Sequence, residues 1–432
     1  MCSDSPETIS ITGSRPLRGE LTLPGDKSIS HRSLLLGSLA SGETAIENLA
    51  TGEDVQSTMR CLRQLGLSVE EEGEEVLVAG QGLGGFTKPD EPLDAGNSGT
   101  LTRLIAGILA THPFETEIDG DDSLRSRPME RIIDPLEEMG AEITSREGKL
   151  PLTVSGGDLV GIEHRPKVAS AQVKSSVLLA GLGASGETTV VEPGPSRDHT
   201  EKMLDAMGCP IEVENNRITV EKPEKLEPLK IRVPGDFSSA SFFIAAATMV
   251  EGSMLRLKDV GLNETRTGFL DLLDRMGATI EVENYRVENG EPRGDLVVSE
   301  SELRGVRLTE DEVVKSIDEL PLLAVVATQA DGVTEVRNAE ELRVKETDRI
   351  SATVENLKNL GAEIEEFSDG FVVRGKTELT GGSVESYKDH RIAMSMAVAA
   401  LVAEGETELV EPDWVEISFP GFFDLMEGLM NE

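Results

Sequence analysis

Two short signatures recur along this chain at near-constant spacing, and that recurrence restricts the fold more than any other feature. The first reads as a strand: "SGETAIENL" (41–49), "SGETTVVEP" (185–193), "EGSMLRLKDV" (251–260), "DGVTEVRNAE" (331–340) and "EGETELVEP" (404–412), with a degenerate copy "HPFETEIDG" at 112–120. Each follows an apolar helical segment such as "SISHRSLLLGSLA" or "SMAVAALVA". The second closes a helix and opens a strand: "LGLSVE" (65–70), "MGAEIT" (139–144), "MGCPIEV" (207–213), "MGATIEV" (276–282) and "LGAEIE" (360–365). Its Gly is a helix stop, and the alternation after it is a strand start. Copies lie about 70 residues apart, longer than the common solenoid periods. Six such units, three per half, predict an α/β protein of two similar domains.

Two further segments match across the halves, "LTLPGDKSIS" (21–30) and "IRVPGDFSSA" (231–240). Each reads as a strand, a Pro-Gly turn and a helix capped by Asp or Ser. They are taken as the two crossings between domains. One domain is then expected at 24–234, and the other from residues 1–23 plus 235–432. A length of 432 residues fits two cores better than one.

The net charge of −39 argues against a nucleic-acid partner, which needs a basic stripe. Acidic side chains instead fall in loops and exposed faces, as in "EEGEE" at 71–75 and "EEL" at 340–342, which suits a halophilic surface working in screening salt. Cys2, Cys61 and Cys209 show no CxxC spacing, so neither disulfides nor zinc are expected, consistent with a reducing cytoplasm. The start "MCSDSPETIS" does not read as a signal peptide. No apolar run reaches membrane-spanning length, and "SFFIAAATMV" (241–250) fits a buried helix.

Basic residues gather at helix starts in this acidic chain. Lys27, Ser28 and Arg32 open one helix; Asn97, Gly99 and Thr100 open a second; Arg127 precedes Pro128 at a third. Ser170, Gln172 and Lys174 open a fourth, Ser196 and Arg197 a fifth. In the other half, "SIDELP" carries Asp318, "RVKETDRI" carries Lys345, Glu346 and Arg349, and "YKDHRIAM" carries Lys388, Asp389, His390 and Arg391. Free N–H groups and the helix dipole already favour anions at such ends, and added Arg or Lys strengthens them. Any single start reads equally as a cap with a surface ion pair; the shared bias points to phosphate and carboxylate ligands. "GNSGT" lacks the Gly-Lys-Ser/Thr of a P-loop. His31, His112, His164 and His199 have no metal-ligand spacing, and no metal or cofactor is assigned.

The segments "LPGDKSISHRSLLLGSLASGET", "GNSGTLTRL", "RPMERIIDPLEEMGA", "SAQVKSSVLLAGL", "SRDHTEKML", "RVKETDRI" and "DHRIAMSMAVAAL" resemble, in order, the EPSP synthase family. The resemblance runs from residue 10 to 423 and implies two domains of three βαβαββ-type units, the inside-out α/β barrel of the enolpyruvyl transferases. It implies transfer of the enolpyruvyl group of phosphoenolpyruvate to the 5-hydroxyl of shikimate 3-phosphate, by a monomeric cytoplasmic enzyme whose two halves close on the substrates. By that match Ser28, Arg32, Ser170, Gln172, Ser196, Arg197 and Lys345, with Lys27 and Asp318, hold shikimate 3-phosphate. Lys27, Asn97, Gly99, Arg127, Gln172, Arg349 and Arg391 hold phosphoenolpyruvate. Asp318 is implied as the base at the hydroxyl, Glu346 as acid and then base at C3, and Lys27 as their assistant.

Departures from the family pattern are Ala171 where many relatives have Ser, Glu341 where many have Asn, and Ile417 where several have Lys; Lys388 is the substitute cation considered. Gly99 implies sensitivity to glyphosate. The competing readings are a UDP-N-acetylglucosamine enolpyruvyl transferase, which typically uses a loop Cys, an RNA 3′-phosphate cyclase, and a non-catalytic repeat scaffold.

Overall fold

The computed structural model describes residues 7–13 and 15–431, so Cys2 and most of the "MCSDSPETIS" start lie outside the described residues. Two units form. One comprises Gly25–Pro234 with Val287–Glu291; the other comprises Met1–Pro24, Gly235–Arg286 and Pro292–Glu432. They are called the first and second unit below. Each has its own apolar core, and Leu, Val, Ile, Ala and Met dominate both.

The repeat is visible strand by strand. In the first unit, Leu93–Asp94 pairs parallel with Glu115–Asp119, which pairs antiparallel with Lys149–Ser155, which pairs antiparallel with Glu142–Arg146. The same order recurs in Glu163–His164, Thr188–Val191, Arg217–Val220 and Ile211–Glu214. The third sheet has Lys230–Arg232 as its parallel edge beside Ser41–Glu47.

That edge strand explains the matching Pro-Gly segments. Lys230–Arg232 leads into the helix Phe237–Met249 of the second unit, yet it pairs in the first. Arg18–Thr22 leads into the helix Lys27–Ser38 of the first unit, yet it pairs with Met254–Gly261 of the second. The chain therefore exchanges one edge strand at each crossing, and Asp26 and Asp236 cap the helices that follow. The other sheets of the second unit are three-stranded. In one, bridges from Arg304 and Arg307 replace the edge strand; in the other, Thr8–Thr12 pairs with Glu406–Val410.

All six copies of the first signature fall on strands, and the five glycines of the second carry positive φ, from 77° to 110°. Only Gly takes that conformation cheaply, which is why the stop is so regular.

Helices divide into two kinds. Lys27–Ser38, Gly99–Leu109 and Ala171–Gly181 are buried over most of their length in the first unit, as are Phe237–Met249, Leu320–Thr328 and His390–Leu401 in the second. A helix apolar on every face belongs inside. Outer helices such as Glu53–Gln64 bury one stripe, here Val55, Met59 and Leu62. Gly107 lets two inner helices touch, since a Cβ there would lie 2.2 Å from the Ser176 carbonyl oxygen.

Candidate active site

In the first unit the starts of the three inner helices converge. His31 Nδ1 lies 2.7 Å from Thr58 Oγ1, and its Nε2 faces Ser98, the cap of the Gly99 helix, at 3.5 Å. Gln172 donates to Thr100 Oγ1 at 2.9 Å, joining the second and third starts. Arg32 donates to Ser175 Oγ at 2.9 Å and to Thr200 Oγ1 at 2.7 Å, joining the first to the third and to the His199–Ala206 helix. Burial pushes Arg32 down to about 10, with Glu201 chief among the charges opposing that shift, so it remains a cation at neutral pH. Burial likewise pushes His31 down to about 3, so it is a neutral strut.

Around this convergence, Lys27 pairs with Asp54 at 3.1 Å, and Arg197 reaches Ser28 Oγ at 3.5 Å. Ser170 caps its helix, and Ser196 donates to Glu192 at 2.5 Å. Arg127 donates to Asn97 Oδ1 at 2.8 Å, while Asn97 donates to Asp121 at 2.7 Å. Arg103 donates to Gln172 Oε1 at 2.8 Å, and a Cβ on Gly99 would lie 2.7 Å from Arg103 Nη1.

Arg127 requires a correction. The helix that precedes it, Asp122–Ser126, ends at Arg127, and the next begins at Glu130 with Met129 as its cap. Pro128 therefore sits between helices rather than in a first turn, because the residue before Pro is forced to extended backbone and Arg127 has ψ 140°. Asn97 and Ser123, not a helix dipole, orient this guanidinium.

The second unit repeats the convergence with different chemistry. Ser238, at the start of Phe237–Met249, donates to Glu319 at 2.6 Å. Asp318 and Glu319 form the turn Ile317–Glu319 leading into Leu320–Thr328. Arg391, in the first turn of His390–Leu401, donates to the Asp318 carbonyl at 3.2 Å and to Glu319 at 3.4 Å. Arg349 is 2% exposed and bonds Asp389 at 2.7 Å and Glu346 at 2.6 Å, with Asp318 at 3.7 Å. Burial opposes its charge, but Asp389, Glu346 and Asp318 outweigh it and hold the guanidinium above its ordinary value. Asp318 thus caps no helix; Glu319 occupies the cap position of Leu320–Thr328.

Lys345 pairs with Glu341 at 3.5 Å. Ala171 is the first residue of its helix, and Ile417 is half-buried at the end of Pro412–Ile417. Lys388 is exposed with φ at 60°. Sequence reasoning missed Arg103, Thr200, Ser175, Arg266 and Glu319, whose roles depend on partners far away in the chain. His199 lies 2.7 Å from Glu291, beside Asp198, which pairs with Lys202; Glu291 opens a strand 92 residues further on, so the pairing left no spacing signal.

A family model for EPSP synthase (3-phosphoshikimate 1-carboxyvinyltransferase) matches residues 11–426. The chain belongs to the EPSP synthase family. Curated relatives named 3-phosphoshikimate 1-carboxyvinyltransferase include those of Brevibacillus brevis, 48% identical over 96% of this chain and 98% of the relative, and of a Sulfurihydrogenibium species, 49% identical over 95% and 97%. The solved EPSP synthase of Acinetobacter baumannii superposes with a TM-score of 0.90 at 42% identity over 98% of both chains. As a family member the chain is an enzyme, a transferase of aromatic amino-acid biosynthesis with the two-domain α/β fold of its relatives. Cys61 and Cys209 are buried, each pushed up by burial to about 12, and offer no loop thiolate of the kind the nucleotide-sugar transferase reading requires.

Proposed function

We propose that this chain transfers the enolpyruvyl group of phosphoenolpyruvate to the 5-hydroxyl of shikimate 3-phosphate, using the two convergences of helix starts. The observation that carries the reading is their division of labour. Near the first unit's convergence stand Lys27, Arg32, Arg103, Arg127 and Arg197; near the second's stand Asp318 and Glu346 among Arg266, Arg349 and Arg391. Two substrates bearing phosphates and carboxylates need cations first. Ser28, Arg32, Ser170, Gln172, Ser196, Arg197 and Lys345, with Lys27 and Asp318, take shikimate 3-phosphate. Lys27, Asn97, Gly99, Arg127, Gln172, Arg349 and Arg391 take phosphoenolpyruvate.

Asp318 accepts the hydroxyl proton as the oxygen bonds to C2, and Glu346 gives a proton to C3, forming a tetrahedral intermediate. Phosphate then leaves by C–O cleavage, carrying off the proton held by Asp318, while C3 returns its own to Glu346, so the products are 5-enolpyruvylshikimate 3-phosphate and phosphate. Phosphate release from phosphoenolpyruvate tests this: it is expected only with shikimate 3-phosphate, not with UDP-N-acetylglucosamine, and to be greater in molar KCl than at low salt. Release with the nucleotide sugar alone overturns the assignment. The charge of −39 supports a halophilic, monomeric enzyme without nucleic-acid partners, and three cysteines without CxxC spacing support a cytoplasmic one. No helix among the described residues is long and apolar enough to cross a membrane.

Gly99 bears on inhibition by glyphosate. The Ala methyl at this position meets Arg103, which must give way and disturb its bond to Gln172. Gly99→Ala is expected to raise the glyphosate concentration for half-inhibition about 10- to 100-fold, the size of a one-methyl clash. Equal inhibition of both forms counts against this loop.

A further inference from the structure

Three guanidiniums face the Asp318 carboxylate, and one of them has been given no role in the reaction so far. Arg349 lies 3.7 Å from Oδ1, while Arg266 and Arg391 lie 3.7 and 3.9 Å from Oδ2. Those distances exceed direct hydrogen-bond length, so these contacts act through charge. Arg349 is already shared with Asp389 and Glu346, and Arg391 with Glu319.

Arg266 stands in the turn between Met254–Gly261 and Gly268–Met276. Asn263 pins that turn, accepting from Thr265 N at 2.9 Å and, through its carbonyl, from Arg266 N at 2.8 Å. The Arg266 side chain is only 6% exposed. Besides Asp318 it reaches Glu319 at 3.9 Å and bonds Ser238, whose hydroxyl donates to Glu319. The "PGDFSSA" crossing has Phe237 and Ser238 where "PGDKSIS" has Lys27 and Ser28. The second unit thus brings its buried cation from another repeat element.

We propose that Arg266 is a positioning residue for the transferase reaction, the fixed counter-charge that keeps Asp318 and Glu319 aligned when substrate anions draw on Arg349 and Arg391. The inference rests on the reading of Asp318 as the base. An anion on Arg349 and Arg391 weakens their hold on Asp318, and without Arg266 the carboxylate would take up a proton and cease to act as a base. The other groups about Asp318 are Glu319 beside it and Glu346 and Asp389 across Arg349; all are acidic and push in the same direction.

The test is the pH profile of kcat at saturating substrates, which reports the groups of the substrate-bound enzyme, for the parent enzyme, Arg266→Gln, Arg266→Lys and Asp318→Asn. Arg266→Gln keeps a side-chain amide that can hydrogen-bond but removes the charge. Its acid limb is expected to move to higher pH by about 1 unit, while Arg266→Lys stays close to the parent. A profile for Arg266→Gln that is lowered equally at every pH, with the limb unmoved, overturns the inference and leaves a structural role. So does a limb moved equally by Arg266→Lys. Asp318→Asn keeping the parent's limb defeats the reading of Asp318 itself, a separate outcome.

Discussion

Glu346→Gln is expected to lower kcat by about 10²–10⁴, the contribution of a positioned proton donor and acceptor. Gln keeps the shape and still accepts a hydrogen bond from Arg349, so binding and fold should survive. Arg349 retains Asp389 at 2.7 Å, and Asp389 also caps the His390–Leu401 helix, so the buried guanidinium is not left unpaired. What Gln lacks is a proton to give C3 and a basic oxygen to take it back. The expected signature is a fall in kcat with the KM for shikimate 3-phosphate within a few fold and an unchanged melting temperature. A kcat within tenfold of the parent's, in a folded variant, would remove Glu346 from the proton path.

Lys174→Met should cost about 3–5 kcal/mol of stability, because it leaves two carboxylates buried without their cation. Lys174 is 2% exposed and lies 2.8 Å from Glu192 and 2.6 Å from Glu201. Burial raises the pKa of Glu201, and Lys174 is the main influence lowering it. A carboxyl whose folded pKa is raised stabilises fully below its unfolded value and loses that stability as pH rises through the folded value. Removing Lys174 raises Glu201 further, so the variant's deficit should be larger at pH 8 than at pH 5 in denaturant titrations. Adding Glu192→Gln and Glu201→Gln to Lys174→Met should recover most of it. A deficit below about 1 kcal/mol at pH 8 would mean water enters this triad. Since Glu192 also accepts from Ser196, the triad braces the proposed shikimate 3-phosphate side as well as the core.

The repeat, the glycine stops and the capped helix starts were legible because each is written within a few residues. An αL glycine, an Asp accepting an N–H three residues on, and an alternating strand face depend on neighbours in sequence. The same locality misled at Arg127, where Pro128 read as a first-turn residue but separates two helices. It also left Arg103 and Arg266 unremarked, since one Arg on a helix or in a turn looks like any solvated charge.

Sequence alone determined the recurrence of the two signatures, the glycine stops and the residue types written at the helix starts. Tertiary structure decided which of those starts meet: Gln172 with Thr100, Arg32 with Ser175 and Thr200, Ser238 with Glu319, Arg266 with Asp318. Such pairings join residues far apart in the chain, and only the packing of buried helices against one another sets their distances.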